Sequence, residues 1–292
     1  MMQRSPTRES VLVACLILLA FASAFPIVMS TLAPYDDQGY VMMTIKTFLA
    51  GETLYSQTHT QYGPAYYLLT GSLHEVLGIP LTQDGVRLKT VAFWSLSTLL
   101  AYSILRRLKT AIPIALFFST LFHLHLNKLA LEPGHPQEWI LLLSLLSFWY
   151  VAGASRYRWL LAAIAVGLVG MIKINCGFLF AVPLIIQALF AYKQDSAQKY
   201  AICQVLTGGA GVAVVVFAIS LGMGITAEQF LWGLVGQHRG FANDFFHLIP
   251  VSTSAVLFGL LCLRAYVWSR DTVRRGCGEK NFGSNGDAAV SD

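Results

Sequence analysis

The chain is built around apolar blocks long enough to cross a lipid bilayer. A hydrocarbon core is spanned by roughly 20 consecutive apolar residues in a helix. Blocks of that order lie near 11–32, 89–105, 111–127, 137–154, 159–173, 176–192, 201–223 and 249–268. Inside lipid, backbone N–H and C=O groups must bond within the protein, which makes each block a helix. The expected fold is all-α: a polytopic integral membrane protein with about eight transmembrane helices. The two blocks flanking Lys173 also read as one broken element.

Charge placement sets the expected orientation. Only 12% of residues are charged, against roughly 25% in soluble domains. The net charge of +5 comes from Lys and Arg clustered between the apolar blocks, as in cytoplasmic loops, so nucleic acid is not an expected partner. With the N-terminus inside, fourteen basic residues, among them Arg4, Arg8, Arg106, Arg107, Arg156 and Arg158, fall on the cytoplasmic side. Six fall opposite: Lys46, Arg87, Lys89, Lys128, Lys173 and Arg239. This predicts cytoplasmic N- and C-termini in a bacterial inner or plasma membrane. The first span is expected to stay uncleaved, because its apolar run continues past Ala22-Ser23-Ala24. The five Cys have no paired spacing and imply neither disulfide framework nor zinc site.

Residues 1–270 read as the transmembrane domain, and the Gly-, Asn-, Asp- and Ser-rich segment 271–292 as a disordered cytoplasmic tail. The outer connections are the longer and chemically richer ones. In the first, 33–88, Asp36 or Asp37 is placed to cap a helix running to about Ala50, with Gly51 as its stop. Val41, Ile45, Phe48 and Leu49 share one face of that helix. A second helix is expected from Pro64 to Leu77, with proline in its first turn. Tyr66 and Tyr67 suit the headgroup zone, so both helices are expected to lie on the membrane as interfacial elements.

Four groups of residues stand out chemically. Asp36 and Asp37 read either as a helix cap with a solvated neighbour or as a general base at the membrane surface. Adjacent carboxylates resist joint ionisation, and their hard oxygens could also hold a divalent cation. His135 and Glu138, in "EPGHPQEW", read either as an exposed loop histidine and a helix-start glutamate or as a polar wall contacting substrate. Lys173 reads either as a snorkelling side chain or as the partner of a lipid-linked phosphate. His238 and Arg239, with Arg87 and Lys89, are further candidates. His123 and His125 alternate along one span and do not form a metal pair. "TGGAGVAVVV" at Gly208–Gly211 lies inside a span and reads as close helix packing rather than a nucleotide loop.

"YDDQGYVMMTIKTFLAGETLY", the Tyr-Gly-Pro that follows, "HPQEW" and "GLVGMIKINCGF" together resemble the polytopic GT-C glycosyltransferases. The branch resembled includes the protein O-mannosyltransferases and the aminoarabinose transferases of lipid A. The resemblance covers roughly residues 10 to 250. It implies a sugar donor on a polyprenyl phosphate, an inverting transfer to a glycan, lipid or protein acceptor hydroxyl, and a first-loop carboxylate as base. Asp36 matches that carboxylate by position, with Asp37 beside it, and Lys173 matches a cation meeting lipid phosphate. The chain is shorter than that family's usual members. The alternatives are a transporter or flippase of lipid-linked sugars, or a truncated, non-catalytic membrane protein.

Overall fold

The computed structural model describes residues 6–31, 37–126, 132–194 and 200–236, all within one unit, Met1–Arg239. The expected eighth span, 249–268, and the tail 271–292 lie outside the described residues. Ten helices are described: α1 Pro6–Ser30, α2 Asp37–Leu49, α3 Pro64–Leu77, α4 Gln83–Arg107, α5 Ile112–Leu126, α6 Gln137–Val151, α7 Arg158–Ile172, α8 Ile174–Gln194, α9 Ala201–Gly222 and α10 Ala227–Leu234. Among the described residues there is no strand, only an isolated bridge between Leu54 and Thr58.

Four of these helices, α1, α4, α8 and α9, are long and apolar enough to cross a membrane. Their outward faces carry large apolar side chains such as Leu18, Phe178, Phe190 and Val214, a surface suited to lipid rather than water. The described residues are accordingly all-helical, with four candidate membrane-spanning helices of the kind that suggests a membrane protein. The blocks expected at 111–127, 137–154 and 159–173 form the 15-residue helices α5, α6 and α7. At 1.5 Å per residue each is about 22 Å long, short of the roughly 30 Å hydrocarbon core.

The helices alternate in direction. Glu9 at the start of α1 pairs with Arg106 at the end of α4 at 2.7 Å. Arg87 near the start of α4 donates to Met29 O at 2.7 Å and Thr31 O at 2.6 Å, capping the carbonyl end of α1. α7 lies against α3, α6, α8 and α9. Small residues let it do so: a Cβ on Gly208 would stand 2.8 Å from Leu160 O and 2.9 Å from Ala163 Cβ. The α7–α8 pair is a tight antiparallel hairpin rather than one broken helix. Lys173, with extended φ −152° and ψ 107°, turns the chain, and Gly170 and Gly177 meet so closely that a Cβ on Gly177 would lie 2.3 Å from Gly170 Cα.

The two ends of the bundle differ. At one, Arg107 stacks on Trp149, 3.4 Å from the ring centre, and donates to Trp149 O, while Arg158 donates to Gly153 O at 2.9 Å. The other end carries the 50–63 loop, the 132–136 turn and Lys173.

The first-loop helices form as expected. α2 ends at Leu49, followed by Gly51 at φ +96°. α3 starts at Pro64 and stops at Gly78 in the left-handed conformation. Their surroundings differ from expectation. Val41, Ile45 and Phe48 are buried, but Leu49 is 39% exposed. Tyr66 and Tyr67 are not at a lipid-facing surface: both are fully buried in the main apolar core. Their hydroxyls find internal partners, Tyr66 donating to Gly134 O at 2.8 Å and Tyr67 bonded to Thr60, which is the condition for burying a tyrosine. The first loop also ends earlier than 88. α4 begins at Gln83, capped by Thr82, whose hydroxyl accepts from Gly85 N. It absorbs Arg87, which donates to two carbonyls of the α1 end, and Lys89, whose charge lies 3.4 Å from Glu138 Oε2.

Gly208 and Gly209 offer a paired test of this packing. A Cβ on Gly209 meets nothing within 4 Å. Gly208→Ala is expected to lose about 1–3 kcal/mol by overpacking, and Gly209→Ala to be neutral or slightly stabilising. Thermal unfolding of the two purified variants in the same detergent checks both.

Candidate functional site

Three segments far apart in sequence meet at the second end of the bundle. The 50–63 loop is held in shape by its own bonds: Tyr55 N donates to Thr58 O at 2.9 Å, and the Tyr55 hydroxyl donates to Tyr62 O at 2.9 Å. Gly63 N then donates to Ile172 O at 2.8 Å, which seats the loop on the end of α7 beside Lys173. No side chain fits at position 63, where a Cβ would fall 2.0 Å from Met171 O. The Tyr62 hydroxyl meets His135 Nε2 at 2.7 Å, joining the loop to the turn before α6. Tyr40, in the first turn of α2, donates to His59 O at 2.6 Å, so the start of α2 is tied to the same loop.

The turn before α6 is fixed from both sides. Gly134 has φ +82°, and a Cβ there would meet Val86 Cγ1 at 2.2 Å, so only glycine fits. Its N–H donates to Glu138 Oε1 at 2.7 Å and to Thr90 Oγ1 at 2.9 Å, and its carbonyl accepts from Tyr66. Thr90 also donates to Glu138 Oε1, and Glu138 Oε2 lies 3.4 Å from Lys89 Nζ. Both members of this ion pair are buried. Glu138 is thus no open wall of an outer cavity: only 8% of it is exposed, and it binds protein groups.

His135 is likewise no exposed loop residue; it is buried, and it precedes α6 instead of sharing a helix face with Glu138. Its Nδ1 accepts from Gln137 N–H at 3.4 Å, which leaves the ring proton on Nε2 to be donated to the Tyr62 hydroxyl. Glu132 Oε2 is 3.6 Å from the same nitrogen. Burial, with added repulsion from Lys173 and Lys89, pushes the His135 pKa down from 6.5 to about 4. Lys173 is half-buried at the α7–α8 turn.

Asp36, His238 and Arg239 lie outside the described residues. Asp37 is the first residue of α2, and its side chain is likewise outside the description. Among the described residues no cluster of three His, Cys, Asp or Glu side chains could hold a metal ion. His123 is taken up structurally: its ring nitrogens meet Ser23 Oγ at 2.8 Å and Thr98 Oγ1 at 3.0 Å, while His125 is exposed. Sequence reasoning gave no role to Tyr62, Thr90 or Gly134. The Gly-His-Pro turn directly before an apolar helix was the available signal for Gly134, and the Tyr-Gly-Pro motif the one for Tyr62; Thr90 had none beyond being polar. No protein-family model, no curated protein and no solved structure matches this chain.

The lowered His135 pKa has a definite sign for stability. Above about pH 6.5 the imidazole is neutral in folded and unfolded chains alike. As pH falls from there towards 4 the unfolded chain binds the proton first, so stability present above 6.5 is progressively lost. The unfolding midpoint in detergent should fall between about pH 7.5 and about pH 5, and His135→Gln should flatten that dependence.

Proposed function

We propose that this protein is a membrane glycosyltransferase that moves a sugar from a polyprenyl-phosphate donor to an acceptor hydroxyl at the extracytoplasmic face. One observation carries the reading: the first-loop segment, the turn opening α6 and the α7–α8 turn meet at one end of the bundle, through Tyr62–His135 at 2.7 Å and Gly63–Ile172 at 2.8 Å beside Lys173. These are the segments in which the sequence resembles the GT-C enzymes. The reading takes that end as extracytoplasmic and the arginine end as cytoplasmic, in accord with the distribution of basic residues. It takes α5, α6, α7 and 249–268 as spans in addition to the four long helices, and α2 and α3 as lying near the interface within the protein.

In this reading Asp36 is the base, with Asp37 beside it, acting directly or through a divalent cation. The acceptor oxygen attacks the anomeric carbon, its proton passes to the carboxylate, and the bond from that carbon to the phosphate oxygen breaks. The electron pair leaves with the polyprenyl phosphate, whose charge Lys173 and, from beyond the described residues, Arg239 and His238 steady. The phosphate is already a good leaving group. The protein has chiefly to orient the acceptor, accept its proton and balance charge. His135 and Tyr62 supply neutral hydrogen-bonding groups for a hydroxylated acceptor.

Transfer of labelled sugar from a polyprenyl-phosphate donor by purified protein is the direct test. Asp36→Asn is expected to lose about 100-fold or more in rate, as for removal of a general base. Lys173→Met is expected to weaken donor use. Full activity in Asp36→Asn, Asp37→Asn and the double variant would rule out the assignment, and transport without transfer would favour the flippase class. Orientation is tested separately by single cysteines in a background lacking the native ones. Exposed positions Gln57 and Ser155 should label from opposite sides of sealed vesicles, Gln57 from the extracytoplasmic side.

A further inference from the structure

Glu138 reads at first as a residue that would touch substrate, and its surroundings say otherwise. Its Oε1 accepts from Thr90 and from Gly134 N–H, and its Oε2 faces Lys89. Lys89 Nζ has no hydrogen-bond acceptor within the described residues beyond this charged contact, and stands 5.6 Å from the centre of the Phe93 ring. A buried ion pair of this kind is weak evidence for stability, because desolvation offsets much of the attraction. What the pair does is local. It grips the N–H of Gly134 while Tyr66 grips the carbonyl, so the residue before His135 is pinned at both ends of its peptide unit.

We propose that Lys89, Thr90 and Glu138 are positioning residues: their buried network locks the Gly134–His135 turn so that the imidazole presents its Nε2–H to the Tyr62 hydroxyl. The titratable and charged groups that act on the ring are Lys173 from the α7–α8 turn, Lys89 from α4, Glu132 from its own turn and Tyr62 from the first loop; Glu138, in the first turn of α6, and Tyr66, from α3, bond the adjacent Gly134. Burial foremost, and after it Lys173 and Lys89, oppose protonation of the ring, and Glu138 lies 3.4 Å from Lys89. The network thereby holds His135 both in direction and in its uncharged form. A neutral histidine with a fixed tautomer is a directional donor; a protonated one would lose the Nδ1 acceptor that orders the turn. What the Tyr62–His135 pair serves rests on the function proposed above; the positioning itself does not.

The test is nuclear magnetic resonance of the full chain in detergent, with histidine ring nitrogens labelled and the His135 signals identified by their loss in His135→Gln. In the wild type the Nε2–H tautomer should dominate and titrate near 4. Glu138→Ala, which frees the Gly134 N–H that orders the turn, should mix the tautomers. Glu138→Gln, whose amide oxygen still accepts from Gly134 and Thr90, should restore the tautomer and leave the midpoint low. Simple loosening of the bundle would raise it in both. Lys89→Met should raise the midpoint, by less than Lys173→Met does. Should Glu138→Ala not fold, Thr90→Val carries the same expectation. An unchanged tautomer in Glu138→Ala or, in its place, Thr90→Val overturns the proposal, as does an unmoved midpoint in Lys89→Met. None of these signals requires turnover. A positive result with no sugar transfer by the wild type would sink the glycosyltransferase reading and leave this one standing.

Discussion

A carboxylate enclosed in an apolar bundle is expensive to keep unless its oxygens are engaged, the effective penalty being several kcal/mol per buried ion. Glu138 Oε1 meets that condition by accepting from Thr90 on α4 and from Gly134 in the turn before its own helix, while Oε2 has no hydrogen bond and faces only the Lys89 charge at 3.4 Å. The arrangement of the polar end follows from this. The carboxylate binds α4 to α6, fixes the glycine at φ +82°, and so sets where His135 lies. His135 in turn holds Tyr62, whose neighbour Gly63 is seated on α7. Four parts of the chain are thus ordered through one side chain.

The opposite end is tied differently. Its bonds are made by arginines to main-chain carbonyls and to one carboxylate, as in Arg107 to Trp149 O, Arg158 to Gly153 O and Arg106 to Glu9. These links join neighbouring helix ends, and Tyr102 donates to the same Glu9 Oε1 at 3.0 Å, so a carboxylate, a guanidinium and a phenol meet there. The polar end has the reverse character: fewer cations, a neutral imidazole and several tyrosine hydroxyls. Among the described residues, one end is thus tied by arginines and the other by a neutral imidazole and tyrosine hydroxyls.

How much of this was legible in the sequence depended on the range of the interaction. α3 was legible to the residue, because proline at its first turn and Gly78 after its last act locally. The stop of α2 near Gly51 and the packing role of Gly208 were legible for similar reasons. Burial of Tyr66 and Tyr67 was not, since aromatic residues beside polar loops look alike whether they face headgroups or a protein core. The early start of α4 was hidden because it depends on distant partners, Met29 and Thr31 for Arg87 and Glu138 for Lys89. At the candidate site, Lys173 and the His135–Glu138 turn were found as polar groups at the margins of apolar blocks. The partition of roles between His135 and Glu138 was not, because it rests on Thr90, a single polar residue without any pattern around it, and on Tyr62, whose motif does not show its partner.

The seat of Gly63 on Ile172 also bears on how the protein is made. The loop is synthesised early, yet its acceptor emerges about a hundred residues later, some 5–20 s at ordinary translation rates. Throughout that interval the loop before α3 has no α7 to rest on. Assembly of the polar end is therefore a late step in biogenesis, completed only once α7 and its turn at Lys173 have been made, and a chain cut short before that point would have its early helices but no seat for Gly63.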